Sequence, residues 1–171
     1  MTSRKPFQDI SRQTTVMLDA NVVIYALFPQ SAYHQTCKEL LERGAQGELP
    51  LHLTVSTTAD ILHRAMVLEF LAQGHVQRSA DAVTYLKQHP QAVQQLTRYK
   101  NILRDLVRSQ ITILPLTYRD LHGSRLYREQ YGLLTNDSLM LAVMHRERIQ
   151  YLATNDPDFE RVPGIALRWP S

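Results

Sequence analysis

Two hydrophobic rhythms alternate along the chain. Short apolar runs, several rich in β-branched residues, occur at Val16–Leu18, Leu51–Val55, Ile111–Leu116, Tyr151–Ala153 and Ile165–Leu167. Between them, apolar residues recur every three or four positions. The runs predict strands and the longer stretches predict helices. The first helical stretch covers Asn21–Leu27 and breaks at Pro29; the second covers His34–Arg43, with Cys37, Leu40 and Leu41 on one face and Gly44 near its end. A long helix capped by Ser56 or Thr57 carries Ile61, Leu62, Ala65, Met66 and Phe70 on one side and closes at Gly74. Helices are also expected over Ala80–Lys87, over Gln91–Arg108 after Pro90, over Leu121–Glu129 before a turn at Gly132, and from a cap at Asn136 through Met144. Regular alternation of strand and helix predicts an α/β protein with a mainly parallel central sheet of about four to five strands.

Composition narrows the setting without changing that picture. A chain of 171 residues, 44% hydrophobic and 20% charged, suits one domain with a proper core. Residues 1–13 read as a loose polar leader ahead of a single domain over 14–171. The net charge of +3 mildly favours a polyanionic partner. Cys37 is the one cysteine, which excludes an internal disulfide and fits packing in a reducing compartment. No apolar signal core and no run of about eighteen apolar residues is present, so a cytoplasmic location is expected.

The chemistry concentrates in carboxylates at strand ends and helix starts. Asp19 directly follows the first strand and Asp156 follows the fourth. If those strands are parallel neighbours, two carboxylates roughly 5 Å apart repel by about 3 kcal/mol at an effective dielectric of about 20, and a cation is needed to offset them. Asp137 opens a helix, and Asp60 lies early in the long one. Each acid also has a plain structural role available. The helix dipole favours Asp137, Asp156 before Pro157 makes a good N-cap, and Asp60 can pair with Arg64 one turn on. Asp19 is the hardest to explain that way, because an acid after an apolar strand needs satisfying. Together they make a set of hard oxygen donors suited to Mg²⁺ or Mn²⁺. The seven His form no zinc signature, and no Gly-rich phosphate loop or nucleophile elbow occurs.

Three blocks, Leu18-Asp19-Ala20-Asn21-Val22-Val23-Ile24-Tyr25, Leu134-Thr135-Asn136-Asp137-Ser138-Leu139 and Leu152-Ala153-Thr154-Asn155-Asp156-Pro157-Asp158-Phe159, resemble the motifs of PIN-domain proteins, in particular the VapC-type toxin ribonucleases. The resemblance implies a three-layer α/β/α fold and Mg²⁺- or Mn²⁺-dependent hydrolysis of RNA. It implies metal ligation by Asp19, Asp137 and Asp156, support from Asn21, Thr154 and Asn155, and Asp158 as the alternative acid of the last block. It also implies an antitoxin partner and a homodimer. Two departures stand out. Asp60 occupies the place of the family's usual Glu and is one methylene shorter, with Glu69 too far along the helix to replace it. The chain is also longer than a compact VapC toxin, and residues 75–100 look like a helical addition.

Basic side chains supply candidate RNA contacts: Arg64, the stripe Lys100, Arg104 and Arg108, and the pair Arg125 and Arg128. A solvated helix face explains the stripe and the pair as well. Two other functions compete with the nuclease. One is a PIN-like module that binds RNA or protein without cutting; the other is a metal-dependent phosphohydrolase of small substrates, against which the missing second Asp two residues after Asp19 counts.

Overall fold

A computed structural model describes residues 4–171, and in it the five apolar runs form one sheet. Strands β1 (Val16–Leu18), β2 (Leu51–Thr54), β3 (Thr112–Leu114), β4 (Tyr151–Ala153) and β5 (Ala166–Arg168) lie in the order β3-β2-β1-β4-β5. Every pairing is parallel. In the register, Met17 stands opposite His52 on one side and Leu152 on the other.

Val16, Met17 and Leu18 are all fully buried, which is what a strand covered on both faces requires. Side chains alternate between faces, and the core divides accordingly. Val16 and Leu18 join Leu51 and Leu53 in one cluster. Helices α1 (Ala20–Leu27), α2 (His34–Ala45) and α3 (Val55–Ala72) complete that layer. Met17 and Leu152 face the other cluster, filled by Met140, Val143 and Met144 of a later helix, Thr135–Arg146. The result is the expected α/β/α sandwich. Gly44 sits where α2 crosses β2, and any Cβ there would collide with the buried Leu51 side chain.

The stretch after α3 forms α4 (Ser79–Gln88), α5 (Pro90–Gln95) and α6 (Tyr99–Arg108). Helix α4 and the end of α5 pack on the far half of α3 around Val67, Phe70, Ala82, Leu86 and Leu96. The single helix expected over Gln91–Arg108 is broken at Leu96–Arg98. Glu69 explains the break: its carboxylate takes the N–H groups of Thr97 and Arg98 at 2.8 and 2.9 Å, while Leu96 is fully buried. The helix expected over Leu121–Glu129 also divides, into α7 (Tyr118–Gly123) and α8 (Arg125–Tyr131), with Ser124 closing one and opening the other. A capping box between Thr117 and Asp120 starts α7 early, and Asp120 pairs with Arg146 of α9 (Thr135–Arg146).

Two caps differ from expectation. Thr54, not Ser56 or Thr57, caps α3 by accepting from the Thr57 N–H. Leu134 occupies the cap position of α9 with no side-chain bond, so Asn136 lies inside the helix. The polar leader is the larger correction. Residues 1–3 lie outside the described residues, but Phe7 and Ile10 are buried in the core around one 3-10 turn. Arg43 donates to the Phe7 and Ile10 carbonyls, and the Phe7 N–H donates to the Trp169 carbonyl. Two apolar residues in a polar stretch are enough to anchor it.

Candidate functional site

The sheet order reverses between β1 and β4, since β2 and β3 continue to one side of β1 while β4 and β5 lie on the other. Loops leaving the ends of such a strand pair diverge, and the crevice between them is where open α/β sheets place ligands. Leu18 is level with Ala153, so Asp19 and Thr154 emerge side by side. The Asp19 N–H continues the ladder by donating to the Ala153 carbonyl at 3.0 Å.

Thr154 ties the two chain ends together. Fully buried, its hydroxyl donates to Asp19 Oδ2 at 2.7 Å and accepts the Asp156 N–H at 2.9 Å. Asn21, early in α1, donates from Nδ2 to the same Asp19 oxygen at 2.6 Å and accepts the Asn155 N–H at 3.2 Å. Asn155 in turn donates to the Tyr25 hydroxyl at 3.4 Å. Asp19 is therefore held in place by two neutral donors, with no cation bonded to it among the described residues.

The electrostatics fit that arrangement. Burial pushes the Asp19 carboxyl above its usual range, and Asp156 adds to the rise. The Thr154 hydroxyl, the Ala20 N–H and the Arg64 guanidinium only partly oppose it. Asp137, in the first turn of α9, is pushed up to about 6 by burial and then by repulsion from Asp19, Asp156, Asp158 and Asp60. Four carboxylates thus act on Asp137 across the crevice, and one of them, Asp156, acts on Asp19 as well.

Asp156 and Asp60 also have the plain structural partners anticipated for them, and Asp158 has one that was not. Asp156 caps a 3-10 turn over Pro157–Arg161 by accepting the Asp158 N–H at 2.9 Å. Asp158 pairs with Arg161. Asp60 stands 3.7 Å from Arg64. No group of three or more His, Cys, Asp or Glu among the described residues is gathered tightly enough to hold a metal ion as it stands. The donor chemistry nevertheless suits a hard divalent cation: oxygen ligands, mutual repulsion and, among the described residues, no bonded cation on Asp19 or Asp137. The acids expected from the sequence to hold one, Asp19, Asp137 and Asp156, lie near enough for their charges to act on one another, and Asp158 acts on Asp137 as well. Glu69 is committed to Thr97 and Arg98 and plays no part here.

The basic candidates separate. Of the six, Arg64 alone acts on the acids. Lys100, Arg104 and Arg108 are exposed on α6, opposite its buried Ile102 and Leu106, and Arg104 pairs with Asp105. Arg125 pairs with Glu129, while Arg128 donates to Ser124 and Ser138. None of these five makes a hydrogen bond or ion pair with the crevice acids among the described residues. Tyr25, in the first helical stretch, borders the site through Asn155. Its periodicity gives no signal of that, because the contact joins positions at opposite ends of the chain.

Comparison with known proteins adds one family and several solved structures. The family model for the PIN domain matches residues 16–165. A VapBC2 structure from Rickettsia felis, bound to a DNA fragment from its promoter, aligns at a TM-score of 0.53 and 18% identity, over 92% of this chain and 100% of that one. VapC20 of Mycobacterium tuberculosis, a toxin that cleaves the sarcin-ricin loop, aligns at 0.58 and 13% identity, over 90% and 98%. A toxin-antitoxin complex from Klebsiella pneumoniae aligns at 0.51 and 18%, over 88% and 95%. At these identities the structures speak for the fold. No curated protein matches.

Proposed function

This chain belongs to the PIN domain family, and on that premise we propose that it is a metal-dependent endoribonuclease of the VapC toxin type. The observation that carries the reading is the crevice itself. Adjacent parallel strands deliver Asp19 and Asp156 to one edge, Thr154 bonds to both, and Asp137 arrives from α9 with its pKa raised to about 6 by burial and the surrounding acids. A structural protein gains nothing from such repulsion, whereas a cation site needs it.

A divalent cation held by Asp19, Asp137 and Asp156 would offset their charge, neutralise a scissile phosphate and activate water for attack. The chain's own residues do the rest. Thr154 and Asn21 fix the direction of the Asp19 carboxylate, as supporting hydrogen bonds do for metal ligands. Asp137 is ionised at neutral pH, above its pKa of about 6, and so is ready to bind. Arg64 supplies a fixed positive charge at the rim, where an RNA backbone would approach. The likeness to VapBC complexes supports an antitoxin as the partner; a homodimer as the working form and the cytoplasm as its place belong to the same proposal. No helix among the described residues is long and apolar enough to cross a membrane.

Incubating a total-RNA pool with Mg²⁺, Mn²⁺ or EDTA tests the reading. Discrete cuts are expected that vanish with EDTA and in Asp19→Asn and Asp137→Asn; cutting that survives in both variants would overturn the assignment. A second reading, a PIN-like module that binds without cutting, is favoured by the engagement of Asp60 with Arg64 and of Asp156 with its cap. It predicts that Mn²⁺ neither binds nor promotes cleavage.

A further inference from the structure

Arg64 belongs to two places at once. On one side it pairs with Asp60 and acts on Asp19; on the other it lines an open cavity of about 530 Å³ between α3 and α4. His63, Val67, Leu68, Ser79 and Val83 form most of the remaining wall. The volume lies within the roughly 300–1,000 Å³ range of small-molecule sites. Its chemistry is uneven: aliphatic side chains make the walls, a hydroxyl and an imidazole lie at exposed positions, and no carboxylate lines it.

Resting on the nuclease reading above, we propose that this cavity is a nucleobase subsite, taking the base of a nucleotide next to the bond that is cut. The occupant must combine a flat apolar body with a negative group. The body meets Val67, Leu68 and Val83, and the charge meets Arg64 at the edge of the acidic crevice. A nucleotide has both, joined at the required short reach. His63 and Ser79 can exchange hydrogen bonds with the polar edge of a base, which gives the pocket a means of preferring one base over another. One wall is α4, which lies in the stretch read from the sequence as an addition to a compact toxin. The selectivity would therefore be this chain's own.

The test uses ¹⁵N-labelled protein in EDTA, titrated with AMP, GMP, CMP and UMP, and with ribose 5-phosphate as a baseless control. At least one nucleotide is expected to shift the amides of both His63–Leu68 and Ser79–Val83. It should bind about tenfold more tightly than ribose 5-phosphate, the order of gain from burying part of a ring against aliphatic side chains. Ala80 is exposed at the cavity wall, so Ala80→Trp fills the space without entering the core. That variant should abolish the nucleotide advantage and leave ribose 5-phosphate binding unchanged; Val83→Phe is the second filling variant should Ala80→Trp disturb α4. Equal shifts from the baseless control, or an advantage that survives both variants, would overturn the subsite. A response to an amphipathic acidic peptide with none to nucleotides would overturn it in favour of a protein partner. RNA cleavage with Mn²⁺ is read separately. Cleavage without nucleotide selectivity removes the subsite alone; selectivity without cleavage keeps a base-binding site but removes the nuclease, and with it the placement beside a cut bond.

Discussion

Replacing Asp137 with Asn should stabilise the metal-free protein while removing its activity. In the fold the Asp137 carboxyl titrates at about 6 instead of 3.8, through burial and the charges of Asp19, Asp156, Asp158 and Asp60. A shift of about two units corresponds to about 3 kcal/mol against the ionised form. Asp137 is only half-buried, so solvent screening reduces this to about 1.5 kcal/mol, and the lost helix-dipole interaction removes about 0.5 more. A net gain of about 1 kcal/mol raises the melting temperature of a domain this size by roughly 2–4 °C. The pH dependence carries the diagnosis. Below 3.8 the carboxyl is neutral in both folded and unfolded chains, and the two proteins should melt together. The unfolded carboxyl ionises first as pH rises, so wild type loses ground between 3.8 and about 6, and the gap is full above that. Thermal melts of both proteins in EDTA across that range measure the gap. Saturating Mn²⁺ at neutral pH should then stabilise wild type by about 2–3 kcal/mol at a hundredfold excess over its dissociation constant, and the variant by much less. An Asp137→Asn protein that melts below wild type at neutral pH in EDTA, or a gap independent of pH, would refute the reasoning.

Thr154→Val removes the hydroxyl that links Asp19 to the Asp156 backbone, and should lower cleavage or Mn²⁺ affinity by roughly 10–100-fold while keeping the fold; calorimetry and cleavage rates read both. Gly44→Ala places a methyl group against Leu51 and should destabilise by about 1–2 kcal/mol, as overpacking outweighs the better helix propensity. Urea melts check it, and a stabilised variant would mean that α2 can move away from β2. Cys37 is buried with its thiol pushed up to about 12, so it should resist a thiol reagent in the native protein at mildly alkaline pH and react only on unfolding.

Residue patterning was enough to dictate the layers. Strand runs too short and too apolar to face water, separated by amphipathic helices, admit few arrangements besides a parallel sheet covered on both sides, because a strand without a polar face must be buried twice. Asp19 was legible as unusual for the same reason: it ends such a strand with a charge. Long-range interactions that override periodicity were not legible. Glu69 breaks a helix nearly thirty residues on, and Phe7 and Ile10 anchor a stretch that looks polar, because each depends on a partner distant in sequence. The crevice came from packing. Strand order puts β4 rather than β3 beside β1, and that single choice makes Asp19 and Asp156 neighbours instead of acids on separate edges. The same folding turns the Thr154 hydroxyl toward Asp19 and leaves Arg64 between the acids and the α3–α4 cavity. Periodicity records which face a residue takes; only packing sets which faces meet.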